Sequence, residues 1–275
     1  MKRLFAFVFL LCLLAAPAWA YTDVPGTSAV NVSKVAGAPD KKVSVLFLGN
    51  SYTYFNDLPK MLADIASGDA DSHVQYEIQS VTKAGGTLQA LWDEGDGLKA
   101  LQARKWDYVV LQEQSFWAVL PENVEGTAAA AQKWNAEIAK AGAKPLIFVT
   151  WARQPDSFWY TDSRYNFLHN PKYMQQKFDD ASAALAKELG AQTVPVGDAW
   201  AALTNKDRKW PLYREDSHHP TVAGSYLAAL VFYKTISGRS PETSTFVPQG
   251  VNADSAAILR KTAATFDQKA DTAAK

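Results

Sequence analysis

The sequence predicts an α/β protein: a three-layer α/β/α sandwich with about five parallel strands. Three observations carry that expectation. Near-continuous apolar runs recur along the chain, the pattern of strands buried on both faces. Stretches of helical character separate them, and strands alternating with helices argue for a parallel sheet covered on both sides. Setting an export leader aside leaves about 255 of the 275 residues, enough for one substantial core.

The leader comes first. Lys2 and Arg3 supply a positive start, Leu4 to Leu14 an apolar run, and Ala18-Trp19-Ala20 a small-x-small cleavage pattern. Residues 1–20 therefore read as a signal peptide, too short to span a bilayer, which needs roughly 20 apolar residues. Cys12 is the only cysteine and lies within that run, so the mature chain from Tyr21 has none. Such a chain suits a periplasmic or secreted bacterial protein stabilised by burial rather than disulfides. Without Lys2 and Arg3 it holds 26 basic and 28 acidic side chains, a formal charge of −2. That balance does not call for nucleic acid. No second apolar run of transmembrane length follows, so no stable membrane anchor is expected, and the oligomeric state is left open.

Residues 21–41 read as an irregular lead-in, rich in Gly, Pro and Ser. One domain is expected over 42–240, and a loop and helical tail over 241–275. Strand runs fall at 43–51 (VSVLFLGNS), 74–81, 107–113, 145–151 and 192–200 (QTVPVGDAW). Helices are expected near 58–68, 87–104, 124–142 and 172–189, the last stopped by Gly190. Residues 220–237 form the clearest helix, with Pro220 suited to its first turn and Gly238 to its end. Residues 239–250 read as loop and 251–272 as a terminal helix.

In an open α/β sheet, ligands bind beyond the carboxyl ends of the strands. The residues just after each run are therefore the informative ones: Gly49-Asn50-Ser51-Tyr52-Thr53, Lys83-Ala84-Gly85-Gly86-Thr87, Gln112-Glu113-Gln114-Ser115 and Trp151-Ala152-Arg153. A cluster at 214–220, REDSHHP, precedes the last core helix and holds two of the four histidines.

The FLGNSYT stretch resembles the first block of the SGNH (GDSL-like) hydrolases, in which a serine ends the first strand. DSHHP ahead of a helix resembles their last block, Asp-x-x-His-Pro. The order and spacing fit over about 43–237, and uncharacterised SGNH-like proteins with an LQEQS third block look most similar. Asn50 stands where the family usually has aspartate, and Gln114 falls on the place of the third-block asparagine. The resemblance implies a flavodoxin-like strand order and a serine ester hydrolase. Ser51 would be the nucleophile and Gly85 the second-block glycine.

The chemistry agrees with that implication. A serine hydroxyl is a poor nucleophile until a base removes its proton, and a near-neutral histidine is a suitable base. A carboxylate on the other ring nitrogen fixes the tautomer and stabilises the imidazolium. Asp216 and His219 are three apart, so a tight turn folds one onto the other, and Pro220 keeps His219 off helical angles. The expected roles are Ser51 nucleophile, His219 base and Asp216 orienter. Ser51, Gly85 and Gln114 are the oxyanion donors, with Gly86 an alternative to Gly85. Gln112, Trp117, Trp151 and His218 are candidate substrate contacts.

Plainer readings compete. Ser51 is also a good helix cap, and His218 a solvated neighbour. A metal at His218 and His219 lacks a His-x-x-x-His or cysteine partner; His73 and His169 are isolated. The expectation is no metal and no organic cofactor. Eight tryptophans survive leader removal, and aromatic faces stack on sugars as well as fill cores. The expected substrate is a small-molecule or glycan ester carrying a small acyl group, acetyl first. The rivals are an O-acyltransferase with the same triad and a non-catalytic carbohydrate-binding protein.

Overall fold

The computed structural model describes residues 23–204 and 210–266. The leader at 1–20 and the end of the tail fall outside these residues. Among the described residues, seven strands form one sheet: β1 Gly26–Thr27, β2 Asn31–Val32, β3 Lys41–Gly49, β4 Val74–Thr82, β5 Tyr108–Leu111, β6 Lys144–Phe148 and β7 Gln192–Val194. The last five are parallel and lie in the order β4-β3-β5-β6-β7. This is the flavodoxin-like order, as expected.

The lead-in is not wholly irregular. β1 and β2 pair antiparallel with β4, with Gly26 opposite Thr82 and Asn31 opposite Ile78. They cover an edge whose backbone groups would otherwise stand open to pairing with another chain.

Alternate residues of the central strands feed two cores. Val43, Val45 and Phe47 of β3 join one, Leu46 and Leu48 the other. The first core is closed by α2 Leu58–Gly68, α7 Val196–Thr204, α8 Val222–Ser237 and α9 Ala253–Ala264. The second is closed by α3 Leu88–Glu94, α4 Asp96–Ala103, α5 Pro121–Lys140 and α6 Pro171–Leu189. A four-residue α1, Ser51–Tyr54, follows β3 directly. No helix among the described residues is long and apolar enough to cross a membrane.

Several boundaries differ from expectation. The helix expected over 87–104 is two, broken where Gly95 turns left-handed at φ 79. The run at 192–200 is a strand only to Val194; Pro195 cannot extend the ladder, and α7 starts one residue later. Pro220 is not in the first turn of α8. It forms a bridge with Tyr213, and Thr221 caps the helix.

Candidate active site

Parallel strands bring their carboxyl ends to one edge, and the site is built there. Gly49 ends β3 in a confined place: a Cβ there would lie 2.5 Å from Gln112 Oε1 and 2.6 Å from Thr53 Oγ1. Only glycine lets the backbone pass that close. Asn50 then caps α1, its Oδ1 accepting from the Tyr52 N–H at 3.2 Å. The capping role weighed for Ser51 thus belongs to Asn50, and Ser51 is the first helical residue. Asn50 Nδ2 donates to the carbonyls of Gly86 at 2.9 Å and Glu113 at 3.5 Å, joining three strand ends. An aspartate has no N–H for either carbonyl, which accounts for the amide here.

The histidine loop meets Ser51 from across the edge. His219 Nε2 lies 2.8 Å from Ser51 Oγ, and His219 Nδ1 lies 2.6 Å from Asp216 Oδ2. The other Asp216 oxygen accepts the backbone N–H of His218 at 3.0 Å and of His219 at 2.9 Å. Ser217 adopts φ 64, the left-handed residue that folds the turn so tightly. Neighbouring segments hold the loop in place. Gln154 N–H donates to Ser217 O at 2.9 Å, Trp151 Nε1 to His218 O at 3.0 Å and Trp159 Nε1 to Asp216 O at 3.2 Å.

Burial pushes the Asp216 carboxyl up, but hydrogen bonds from His219 and His218 outweigh it and hold the group down to about 2. His219 is pushed below the ordinary histidine value by burial, opposed by Asp216 and reinforced by Arg153 and Arg214. The resting pair is an ionised carboxylate against a neutral imidazole, whose Nε2 is then ready to take a proton from Ser51. Burial and the Arg153 charge push His218 down to about 3.

The second and third loops flank the serine. Gly85 is exposed at φ 61, and its N–H has no partner among the described residues; Gly86 is buried and donates to Lys83 O at 3.1 Å. Of the two glycines, Gly85 is the one with a donor to offer. Gln114 Oε1 accepts from Phe116 N–H at 2.8 Å, which leaves its Nε2 without a partner among the described residues. Glu113 ties these loops together by accepting from Gln114 N–H at 2.6 Å and Leu88 N–H at 3.1 Å. Burial pushes its carboxyl up, against those bonds and one with Thr127.

Three expected substrate contacts are corrected by burial. Gln112 is fully buried, with its Oε1 on Asn50 N–H and Thr53 Oγ1 and its Nε2 on Asn50 Oδ1. It has nothing left for a substrate. Trp117 is buried in the second core. Trp151 is 1 % exposed and stacks between Tyr52 at 4.5 Å and Trp200 at 3.9 Å. His218 does lie at the site, its ring 3.8 Å from that of His219. Asp216, His218 and His219 hold potential metal-ligand atoms within 4.8 Å of one another. Both nitrogens of His219 are already hydrogen-bonded, however, so the geometry is that of a proton relay.

Other residues at the site carried little sequence signal. Phe55 lays its ring 4.4 Å from that of His219. Arg214 links the two loops, with its Nε on Pro220 O and its Nη2 on Asp23 and Asn56. Arg153 and Tyr52 form a buried pair behind the serine. Position after a strand end was the only hint for Tyr52 and Arg153.

A serine, a histidine and an aspartate thus meet in one relay at the carboxyl edge of the sandwich, and solved structures share the fold. The chain is similar to a candidate SGNH hydrolase from Slackia heliotrinireducens, at 27% identity and a TM-score of 0.58 over 70% of this chain and 98% of that one. It is similar to a DUF4886 family protein from Bacteroides uniformis, at 18% identity and a TM-score of 0.65 over 82% and 94%. An acetylxylan esterase from Geobacillus stearothermophilus matches at 16% identity and a TM-score of 0.51 over 70% and 93%. By fold and by the 27% identical neighbour the chain groups with the SGNH (GDSL-like) hydrolases, and the other two neighbours share its fold. No protein-family model and no curated protein matches the sequence.

Proposed function

We propose that the protein is a serine ester hydrolase acting on small acyl esters, acetyl first, borne by a glycan. One observation carries the reading: the unbroken path from Ser51 Oγ through His219 to Asp216, at 2.8 and 2.6 Å. Ser51 Oγ attacks the ester carbonyl while His219 Nε2 takes its proton. The oxyanion is held by the N–H groups of Ser51 and Gly85 and the Gln114 amide. Collapse returns the proton to the leaving alcohol, leaving an acyl-serine. Water, deprotonated by His219, then releases the carboxylic acid and restores Ser51.

The glycan part rests on a group of rings beside the relay. Phe116, Phe158, Trp159 and Tyr165 lie against one another, with Phe158 51% exposed and Trp159 5.9 Å from the His218 ring. Flat faces of this kind suit a sugar as the alcohol. An exported location belongs to the same proposal and rests on the leader at 1–20.

The test is turnover of p-nitrophenyl acetate and of acetylated xylo-oligosaccharide. Ser51→Ala and His219→Ala are each expected to lower kcat by about 10³-fold or more. A folded parent no faster than either variant would sink the hydrolase reading. Acetyl transfer to an added sugar without release of acetate would replace it with the acyltransferase.

A further inference from the structure

One charge beside the relay has no counter-ion among the described residues. Arg153 follows β6 and is 2 % exposed. Its Nη1 donates to the Tyr52 phenol at 2.6 Å and its Nη2 to Ser115 Oγ at 2.9 Å, while Nε has no partner. The guanidinium carbon sits in the corner between two rings, 4.4 Å from the centre of Phe116 and 4.6 Å from that of Trp159. No carboxylate of the described residues comes within ion-pairing distance. A buried cation held only by neutral groups is costly to keep. Such groups concentrate where a site uses the charge.

The contacts of Arg153 show what the charge acts on. Tyr52 follows Ser51 in the chain, and its ring lies 5.9 Å from that of His219 and 6.2 Å from that of His218. Trp159, one wall of the corner, hydrogen-bonds the Asp216 carbonyl and meets His218 edge-on. The guanidinium is thus joined to the serine side through Tyr52 and to the histidine side through Trp159.

We propose that Arg153 is a positioning residue of the relay, whose buried cation pins Tyr52 behind Ser51 and keeps His219 in the neutral form that accepts the serine proton. The activity readout rests on the hydrolase reading above. Asp216, on the same loop as His219, favours the protonated ring. Arg153, from the segment after β6, and Arg214, at the start of the loop, disfavour it. Tyr52 from α1 and His218 also face the ring and are neutral at working pH. Burial acts in the same direction as the arginines. Removing the Arg153 charge shifts the balance towards Asp216, so protonation sets in at a higher pH.

Two variants offset that charge in different ways. Arg153→Gln deletes it and retains an amide, whereas Ser115→Asp leaves it and supplies a carboxylate partner. Each is expected to move the acid limb of kcat/KM for p-nitrophenyl acetate up by about one pH unit. Arg153→Lys, which keeps the charge, is expected to keep the limb. Tyr52→Phe, which removes only the hydrogen bond, is expected to lower the plateau without moving the limb. The His219 ring titration, followed by NMR, reads the same midpoint without turnover, so it tests the inference even if the esterase reading fails. A midpoint unchanged in both Arg153→Gln and Ser115→Asp overturns the proposal, whatever the plateau does. Should Arg153→Gln not fold, Ser115→Asp decides alone.

Discussion

Asn50 and Gln114 are two of the places where the chain departs from the SGNH blocks it resembles, and both side chains have local partners. Asn50 donates to two carbonyls on neighbouring loops, so Asn50→Asp sets a buried carboxylate against them. The variant is expected to lose about 2–4 kcal/mol of stability by chemical denaturation. Gln114 uses its oxygen to hold the Phe116 N–H, and its own amide N–H has no partner among the described residues. Gln114→Glu keeps an oxygen acceptor and removes the donor, and it is expected to lower kcat by roughly 10²–10³-fold with little change in KM. An unchanged kcat would remove Gln114 from the oxyanion site. Ser51, Asp216 and His219 were legible in the sequence through the resemblance to the SGNH blocks, and the three-residue spacing of Asp216 and His219 agrees with it. Gln112 and Trp151 were misread for the opposite reason. A polar or aromatic residue after a strand looks the same in sequence whether it faces solvent or is enclosed by its neighbours.

Among the elements, the histidine loop depends on how α8 docks. Gly224 lies in the first turn of α8, where a Cβ would stand 2.5 Å from Leu212 O and 2.7 Å from the Trp200 ring. Gly224→Ala is therefore expected to cost about 2 kcal/mol, seen as a lower Tm, and to reduce kcat by displacing the loop that ends at Pro220. Gly126 is the contrast. It is exposed on α5 with nothing within 4 Å of a Cβ, so Gly126→Ala is expected to add up to about 1 kcal/mol and leave kcat alone. Helix existence was readable from composition and caps. The split at Gly95 and the early end of β7 were not, since isolated Gly and Pro are tolerated in many positions until the sheet register excludes them.

Across the molecule, one buried ionic cluster fastens the end of α2 to the chain that leaves α8. Asp69 accepts from Arg239 Nε at 2.6 Å and Nη2 at 2.9 Å, from Tyr233 at 2.5 Å and from Thr243 Oγ1 at 2.7 Å. Burial pushes its carboxyl up, but the bonds from Arg239, Tyr233 and Thr243 prevail and hold it at about 2. A depressed carboxyl contributes stability above its unfolded value of about 3.9 and loses it as pH falls towards the folded value. Asp69→Asn is expected to destabilise by about 2 kcal/mol at pH 7, with the gap from the parent closing between about pH 4 and pH 2 in urea titrations. A gap independent of pH would assign the cluster a packing role instead.

The sequence by itself determined the layers, the parallel strand order and the three residues of the relay. The layers follow from apolar period, which is local; the strand order and the pairing of Ser51 with Asp216 and His219 follow from the resemblance to the SGNH blocks. Only the tertiary structure decided which polar groups remain available. Strand register and helix docking set Gln112 against Asn50, Trp151 between Tyr52 and Trp200, and Arg153 behind Ser51. Burial is a property of neighbours brought together from distant parts of the chain, and no short stretch of sequence contains it.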